Sequence, residues 1–390
     1  MSGAVILSAK RTPIGRFFGG LSRVPGPQLG AWAIEAALEA APGASSQVDE
    51  CIMGCVLQAG LGQNPARQAG LKAGLPDTLS AQTVNKVCGS GLQAVMLADQ
   101  SIRAGDNELV VAGGFENMTL APHLSSVRAG VKFGDTSMVD HMAHDGLTCA
   151  FEEWGMGFAA EHIASKHSLE RTELDRFSAQ SHERAAAATE AGWFADEIVP
   201  LEAARVKQKA DVTADEGIRA DSTAEGLSKL RPAFTKEGVV TAGNASQISD
   251  GAAALVVASE AKAGELGLDP IARIVGQCTS GVAPKEIFDA PAKGIATLLE
   301  KHGLSVDDID LFELNEAFAA QVLANIGELS IPEDKLNICG GGIALGHPIG
   351  ASGARVLTTL VHQMRRTGAK RGVASLCLGG GNAVTMLIEC

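Results

Sequence analysis

The sequence SGLQAV at residues 90–95 opens a predicted helix, and that helix leads through a Val-rich strand to GGFEN at residues 113–117. The same order returns near the end of the chain. There, SGARV at residues 352–356 opens a long predicted helix, and the strand that follows ends in GGGN at residues 379–382. Two blocks with the same order of elements predict two related α/β halves.

The predicted elements of the two halves alternate between strand and helix. Strands are expected at residues 4–8, 51–58, 108–113, 251–258, 271–276, 309–314 and 372–378, and helices at residues 29–41, 91–104, 291–302, 317–326 and 352–366. Such alternation is typical of a parallel sheet that helices cover on both faces.

The segment at residues 118–246 has a different character. It is rich in His, Trp and acidic residues, with helical patterns at residues 161–167 and 173–192 and an irregular polar stretch at residues 211–236. Long ordered loops of this kind usually serve substrates. We therefore expect an insertion that packs over the two halves.

The composition is that of a globular protein with a large core. Hydrophobic residues make up 46% of the 390 residues and charged residues 20%, which excludes disorder as the dominant state. A chain of this length is expected to form two or three domains. The formal net charge of −13 argues against a nucleic-acid partner, because general nucleic-acid binding needs a basic surface.

The sequence also predicts where the protein works and what it lacks. No stretch approaches the ~18 consecutive apolar residues that cross a membrane, so we expect no membrane association and a cytoplasmic protein. Eight Cys without regular spacing fit reduced thiols in that compartment. The pair Cys51 and Cys55 and the pair His141 and His144 have no further ligands around them, so we expect no metal site.

The first candidate for chemistry is Cys88, in the sequence NKVCGSG at residues 85–91. It stands just before a predicted helix, whose N-terminus should lower the pKa of the thiol and favour the nucleophilic thiolate. The neighbouring glycines would let a substrate carbonyl approach the backbone. The alternative is a small buried Cys that packs against a turn.

The second candidate is His347, in the sequence GGGIALGHPIGASG at residues 340–353. Its imidazole could act as the base for a thiol at neutral pH. Alternatively, it caps the next helix or forms a hydrogen bond within its own loop. A dinucleotide-binding interpretation of these glycines fits poorly, because the G-x-G-x-x-G spacing after a short strand is absent.

Two further candidates follow predicted strands. Cys377 ends an apolar strand before three glycines, at the kind of strand end where open α/β sheets bind ligands, although it could be a core Cys. Asn315 begins the sequence NEAF and could hold a water or a carbonyl oxygen, or simply cap a helix. Together with Cys88 and His347, these residues could form a nucleophile, a base and an acid in one crevice.

The sequence resembles the thiolases over its whole length, from SAKRTPIG at residues 8–15 to the last strand, and most closely their acetyl-CoA acetyltransferase branch. The four motifs around Cys88, Asn315, His347 and Cys377 occur in family order. The resemblance implies two similar βαβαβαββ halves that form a five-layer αβαβα core with an inserted loop domain. The halves would be residues 1–117, completed by about 247–267, and residues 268–390, and residues 118–246 would cover the coenzyme A site.

The resemblance also implies a two-step mechanism. Cys88 would take the acetyl group of acetyl-CoA, with His347 as the base, and Cys377 would remove a proton from the second acetyl-CoA. His347 and a water held by Asn315 would bind the thioester oxygen, and the backbone N–H groups of Cys88 and Gly379 would bind the oxygen of the acetylated Cys88. No metal or redox cofactor is implied, and coenzyme A is substrate and product.

Contacts to coenzyme A are implied at positions that match the family. These are Leu147, Met156, Arg219, Ala233, Phe234, Ala242, Ser246, Ala317 and Phe318. The resemblance further implies a dimer or, in this branch, a homotetramer formed through residues 117–130.

Three departures from the family pattern leave the length of the acyl chain open. Gly155 stands where biosynthetic members often have His, Gly226 replaces a Ser, and the loop IFDAP at residues 287–291 replaces Met-Gly-x-Gly-Pro. The closest alternative is therefore a degradative 3-ketoacyl-CoA thiolase that cleaves longer chains. Alternatives from other classes are a non-catalytic acyl-CoA-binding protein and, from the α/β pattern alone, a nicotinamide-dependent oxidoreductase.

Overall fold

The computed structural model describes residues 3–390, so the first two residues of the predicted first half lie outside it. The strands are β1 Val5–Arg11, β2 Gly15–Arg16, β3 Glu50–Gly54, β4 Ser80–Val84, β5 Leu109–Asn117, β6 His123–Leu124, β7 Val139–Asp140, β8 Ser249–Ala258, β9 Ala272–Gly281, β10 Leu311–Leu314, β11 Arg371–Leu378 and β12 Asn382–Glu389. The α-helices are α1 Gly26–Glu39, α2 Pro65–Lys72, α3 Ser90–Ala104, α4 Met156–Lys166, α5 Arg171–Glu190, α6 Ala203–Val206, α7 Ala224–Ser228, α8 Glu260–Leu266, α9 Ala290–His302, α10 Ala319–Leu329, α11 Gly342–Leu345 and α12 Ser352–Thr367.

The strands of both halves join into one large sheet of mixed direction. Its order is β10-β11-β12-β9-β1-β8-β5-β3-β4, with β2 beside β8. The prediction of a parallel sheet was wrong, because only β3–β4, β3–β5 and β10–β11 are parallel pairs. The physical reason is visible at Gly379–Gly381, where a turn too short for a helical crossover makes β12 return antiparallel to β11.

The helices form three layers, and the first-half and second-half parts of the sheet lie on opposite sides of the middle one, which gives the five-layer αβαβα core that the family resemblance implies. In the first half, α1 and α2 pack on one face through a cluster that includes Phe115. The middle layer is α3 with α12, whose cluster includes Leu92 and Leu357 and touches strands of both halves. On the far face, α9 and α10 pack through a cluster that includes Leu298 and Val322.

The two helices of the middle layer cross very close to their N-termini. A Cβ atom at Gly91 in α3 would lie 2.7 Å from the backbone nitrogen of Ala354, and one at Gly353 in α12 would meet the backbone nitrogen of Leu92. Only glycine permits this approach. Because α3 begins just after Cys88 and α12 just after the His347 turn, the crossing brings these two turns together.

The segment at residues 118–246 adds no strand to the large sheet. It contributes the hairpin β6–β7 and the helices α4 to α7, of which α4 and α5 pack on α10. The guanidinium of Arg11 in β1 anchors it, with buried ion pairs of 2.6 Å to Glu197 and 2.7 Å to Asp215. The division of the chain at residues 117 and 246 stays a prediction. No helix within residues 3–390 combines the length and apolarity needed to cross a membrane.

Candidate active site

A cavity of about 410 Å³ lies where the middle layer meets the inserted segment. Four of the predicted catalytic residues line it: Cys88 from the first half, and His347, Cys377 and Gly379 from the second. The fifth, Asn315, lies behind His347, with its Nδ2 3.4 Å from the ring Nε2. The two halves thus bring together all the residues that the sequence singled out for chemistry.

Cys88 lies on a strained turn between β4 and α3. The preceding residue, Val87, has a φ of 47°, a left-handed conformation that a β-branched residue rarely adopts. The hydroxyl of Ser90 secures the turn, because it donates to the carbonyl of Val87 at 2.6 Å and accepts from the N–H of Lys86 at 2.8 Å. Strain of this kind is often found at functional sites, where the surroundings hold a side chain in place.

The expected lowering of the Cys88 pKa was wrong. Burial raises the pKa of the Cys88 thiol to about 12, although the backbone N–H groups of Cys88 and Gly379 act in the opposite direction. The loss of hydration therefore outweighs the start of α3. Without a substrate Cys88 is a thiol, and it needs a base to become a nucleophile.

His347 is buried on the turn between α11 and α12, with one face towards the cavity. Its backbone N–H is shared between the carbonyl of Gln247 at 3.1 Å and the hydroxyl of Ser249 at 3.2 Å. Its Nδ1 lies 2.5 Å from the hydroxyl of Ser352, the first residue of α12. The His347 ring therefore forms a hydrogen bond within its own loop, which was the alternative to a role as base, and it lines the cavity as well.

The environment of His347 keeps the imidazole neutral. Burial and, secondarily, the positive charge of Arg355 lower the pKa of His347 to about 3. A neutral imidazole has one ring nitrogen free to accept a proton, which is what a base for the Cys88 thiol requires.

Cys377 is at the end of β11 and is 2% exposed. Burial and the nearby Cys88 raise its thiol pKa far above the ordinary value. The chain then turns through Gly380 and Gly381, whose φ values are 89° and 87°. A Cβ atom at Gly379 would lie 3.2 Å from a methyl group of Val87, so the Gly379 backbone packs directly on the Cys88 turn.

Asn315 is not a helix cap. The helix that follows begins at Ala319 with Phe318 in the cap position. The Asn315 side chain is fully buried, and its Oδ1 has no hydrogen-bond partner among residues 3–390. A buried amide oxygen normally has a partner, so this atom is suited to a water or a substrate group.

The predicted coenzyme A contacts divide into two groups. Six line the cavity: Leu147, Met156, Phe234, Ser246, Ala317 and Phe318. Three do not line it and are exposed: Arg219, Ala233 and Ala242. The exposed group lies on the segment over the site, and its contacts to coenzyme A stay a prediction.

Two of the three departures from the family pattern, Gly155 and the loop at residues 287–291, lie at the same cavity, whereas Gly226 is exposed and does not line it. Gly155 lines it, and a Cβ atom there would have only the Leu147 carbonyl within 4 Å, at 3.9 Å. Phe288 lines it too, is 2% exposed and packs its ring 5.5 Å from that of Phe318. The lining therefore includes both a bulky residue, Phe288, and an open position, Gly155.

One group of potential metal ligands occurs among residues 3–390. His167, Asp289 and Glu328 offer ligand atoms within 4.8 Å of one another. Asp289 already binds Lys166 at 2.7 Å and His167 at 2.9 Å, and none of the three ligand residues lines the cavity. This group is therefore separate from the candidate chemistry.

Sequence reasoning missed two features of the site. The first is the contact of Ser352 with His347, for which the signal is the spacing, because it places Ser352 about one turn further along the chain. The left-handed Val87 had no signal in the sequence, because β-branched residues normally avoid that conformation.

Comparisons with known proteins agree over the whole chain. The family model described as the thiolase N-terminal domain matches residues 4–261, and that of the thiolase C-terminal domain matches residues 268–390. A protein of Chromobacterium violaceum named acetyl-CoA acetyltransferase is 53% identical over 386 residues, with 98% of each chain covered. A protein of Escherichia coli with the same name is 50% identical over 391 residues, covering 100% of this chain and 99% of the other.

A solved structure points the same way. The acetyl-CoA acetyltransferase of Bacillus anthracis superposes with a TM-score of 0.96 at 42% sequence identity, covering 100% of this chain and 99% of the other. Both family domains match in order and together span nearly the whole sequence. The chain belongs to the thiolase family.

Proposed function

We propose that this protein is an acetyl-CoA C-acetyltransferase that reversibly converts two acetyl-CoA into acetoacetyl-CoA and coenzyme A. The observation that carries the proposal is the meeting of Cys88, His347 and Cys377 in one cavity. The names of the relatives that match over the full length support it. A non-catalytic role would not need two thiols and a neutral imidazole at one place.

In the first step, Cys88 becomes acetylated. The Cys88 thiol gives its proton to Nε2 of His347, and its sulfur attacks the thioester carbonyl of acetyl-CoA. The bond to the sulfur of coenzyme A breaks, and the departing sulfur takes the proton of the Cys377 thiol, which leaves Cys377 as a thiolate and His347 as an imidazolium. Because the free thiol has a pKa of about 12, this proton transfer must accompany the attack.

In the second step, the new carbon–carbon bond forms. The thiolate of Cys377 takes a proton from the methyl group of a second acetyl-CoA, and the resulting enolate attacks the carbonyl carbon of acetylated Cys88. The bond between that carbon and Cys88 Sγ breaks, which releases acetoacetyl-CoA. The Cys88 thiolate takes its proton back from His347, and Cys377 keeps the proton of the methyl group, so both thiols and the neutral imidazole of the free enzyme are restored.

Donors are placed where negative charge develops. The backbone N–H groups of Cys88 and Gly379 both favour the thiolate of Cys88, and in this proposal they bind the oxygen of its acyl group. His347 and a water on Asn315 Oδ1 would stabilise the enolate oxygen of the second acetyl-CoA. Fixed donors of this kind contribute about 3 kcal/mol each to transition-state stability.

The proposed reaction needs no metal or redox cofactor. The thioester of coenzyme A activates both the leaving group and the methyl group, and no electron is gained or lost in either step. The proposal therefore treats coenzyme A as substrate and product.

The test uses each Cys in turn. Cys88→Ala is expected to form no acyl-enzyme from acetyl-CoA, as followed by intact mass. Cys377→Ala is expected to acetylate Cys88 but to form no acetoacetyl-CoA. If Cys377→Ala condensed acetyl-CoA at the wild-type rate, the assignment of the two thiols would be wrong.

A degradative thiolase for longer chains is the second candidate, and the open space at Gly155 favours it. Cleavage of acetoacetyl-CoA, 3-ketohexanoyl-CoA and 3-ketodecanoyl-CoA with coenzyme A separates the two candidates. Activity confined to acetoacetyl-CoA supports the acetyltransferase. Equal or higher activity on the longer chains supports the degradative enzyme, with a role in fatty acid breakdown.

The proposal includes a homotetramer in the cytoplasm. The segment around β6 and β7 exposes apolar side chains, among them Leu120, Val131, Met138 and Phe133, the last 99% exposed. Such a patch is typical of a contact between subunits. Light scattering of the wild type and of Phe133→Glu measures the assembly.

The reducing cytoplasm suits a mechanism that needs both Cys88 and Cys377 as thiols.

A further inference from the structure

Glu116 at the end of β5 is a buried carboxylate that the proposed mechanism does not use. It is 1% exposed, and it receives hydrogen bonds from both halves of the protein. Its Oε2 accepts from the N–H of Val56 at 2.9 Å and from the N–H of Gly350 at 3.0 Å. Its Oε1 accepts from the N–H of Leu57 at 3.1 Å and faces the thiol of Cys55 at 3.6 Å.

The bond to Gly350 reaches the turn that carries the base. Gly350 is three residues from His347, and between them Pro348 accepts bonds from Ala351 and Ser352 that close the turn. Ile349 of the same turn lines the cavity. A shift of Gly350 would therefore move the His347 ring relative to Cys88.

The turn has no space in which to settle elsewhere. A Cβ atom at Gly350 would lie 2.7 Å from Glu116 Oε2 and 3.0 Å from the Cα of Cys55, and one at Gly114 would meet the carbonyl oxygen of Gly350. The end of β5 thus holds the His347 turn by contact on one side, and the Glu116 carboxylate holds it by hydrogen bonding.

The chemistry of the contact requires a carboxylate. All three backbone groups around Glu116 are donors, so the side chain has to accept on both oxygens. An amide in its place would direct an NH₂ group at an N–H group and leave at least one buried donor without a partner. Burial raises the pKa of Glu116 to about 7 despite these donors, so the carboxylate is retained at a cost in free energy.

We infer that Glu116 is a positioning residue for acyl transfer, and that its carboxylate fixes His347 against Cys88 by joining the turn at residues 347–350 to the turn at residues 55–57. This inference rests on the role of His347 in the proposed function. Glu116 itself touches neither the substrate nor the reacting atoms.

The experiment is a double-mutant cycle on the acetylation of Cys88 by acetyl-CoA. It compares the wild type, Glu116→Gln, His347→Ala and the double variant, with single-turnover release of coenzyme A as the readout. Glu116→Gln is expected to slow acetylation by about 10- to 100-fold, because a small misplacement of a base has that effect. In the His347→Ala background the same change is expected to have no further effect. The dissociation constant of coenzyme A is expected to stay within twofold.

The matched control is Asp49→Asn. The Asp49 carboxylate accepts from two backbone N–H groups, of Glu108 at 2.8 Å and Leu109 at 2.9 Å, but at the opposite end of β5. The Asp49→Asn variant is expected to acetylate Cys88 at the wild-type rate. If Glu116→Gln does not fold, Glu116→Asp, which keeps the charge and shortens the reach, enters the same cycle with the same expectation.

The outcomes separate this inference from the proposed function. The role of Glu116 alone is overturned if Glu116→Gln acetylates Cys88 at the wild-type rate. It is also overturned if the substitution lowers that rate by the same factor with and without His347. A wild-type rate in His347→Ala overturns the role of His347 and the inference together. A loss in Asp49→Asn as large as in Glu116→Gln would show a general effect on β5 and would also overturn the inference.

Discussion

The Nδ1 atom of His347 lies 2.5 Å from the hydroxyl oxygen of Ser352. The same hydroxyl donates its proton to the carbonyl of Pro348 at 2.8 Å, so it acts as an acceptor towards the ring. A neutral imidazole that donates from Nδ1 has its lone pair on Nε2. Ser352 therefore determines which nitrogen of His347 can receive the proton of Cys88.

Replacing Ser352 by Ala should slow acetylation of Cys88 about 10- to 100-fold, since the ring loses the acceptor that fixes its tautomer. This is less than the full loss of a general base, about 10²- to 10⁴-fold. Burst kinetics with acetyl-CoA measure the effect. Ser101→Ala is the matched control, because its hydroxyl bonds only near the far end of α3. Equal rates in the two variants would contradict the role of Ser352.

Alkylation of Cys88 by iodoacetamide should rise with pH without a plateau between pH 6 and pH 10. Because burial raises the pKa of Cys88 to about 12 and lowers that of His347 to about 3, the free enzyme holds a thiol beside a neutral imidazole. The thiolate fraction then grows about tenfold per pH unit up to pH 12.

The label on Cys88 is quantified by peptide mass spectrometry, which separates it from the other seven cysteines. His347→Ala should leave the increase of the alkylation rate with pH unchanged. A rate that is already constant above pH 6 would instead indicate a preformed thiolate–imidazolium pair.

The stability of the fold should decrease from about pH 4.5 to pH 8 because of Glu313. Burial raises the pKa of this carboxyl from 4.5 to about 8, although Arg355 lies 3.6 Å away. Between these values the folded chain keeps the proton and the unfolded chain loses it. Raising the pH therefore favours unfolding, by at most about 1.4 kcal/mol per unit.

Glu313→Gln should remove the contribution of Glu313 to the pH dependence of stability. Thermal unfolding at pH 5 and pH 8 measures this dependence. Glu328→Gln removes the same charge from an exposed position and should keep the wild-type slope. If Glu313→Gln unfolded with the same pH dependence as the wild type, the carboxyl would have to be ionised in the folded state.

Phe288→Ala should shift the preference of the enzyme towards longer acyl chains. The Phe288 ring fills one wall of the cavity, and its removal opens space beside Phe318. Relative kcat/KM for 3-ketohexanoyl-CoA against acetoacetyl-CoA should rise, while stability falls by about 3–5 kcal/mol. Gly155→Ala, which has room for a methyl group, should change stability little. An unchanged ratio in Phe288→Ala would place the acyl chain elsewhere.

The sequence could single out the candidate residues because each stands in a local pattern, and their catalytic roles stay a prediction. Cys88 precedes a glycine and a predicted helix, His347 lies between glycines, and Cys377 ends a predicted strand before three glycines. All three line one cavity. The repeat of the blocks at residues 90 and 352 also predicted two halves, which the fold confirms.

The features that the sequence did not reveal depend on long-range contacts. β4, α2 and β12 were not predicted, and β12 pairs with β9, about 100 residues away along the chain. The raised pKa of Cys88 comes from burial, to which both halves and the inserted segment contribute and which the local motif does not contain. No local pattern marks Glu116, because its partner Gly350 lies 234 residues further along the chain.

The crossing of α3 and α12 has a consequence for tolerance to mutation. Gly91 and Gly353 stand at equivalent places in the two halves, and a Cβ atom at either would meet the main chain of the other helix. A second-site change usually rescues a larger side chain by making its neighbour smaller. Here the added side chain would meet main-chain atoms next to the other glycine, and these cannot be made smaller. Neither position therefore has a compensating substitution. The two glycines form a symmetric contact between equivalent positions of the two halves, as an isologous interface does between two subunits. Substitution of either glycine therefore disturbs the packing of both halves.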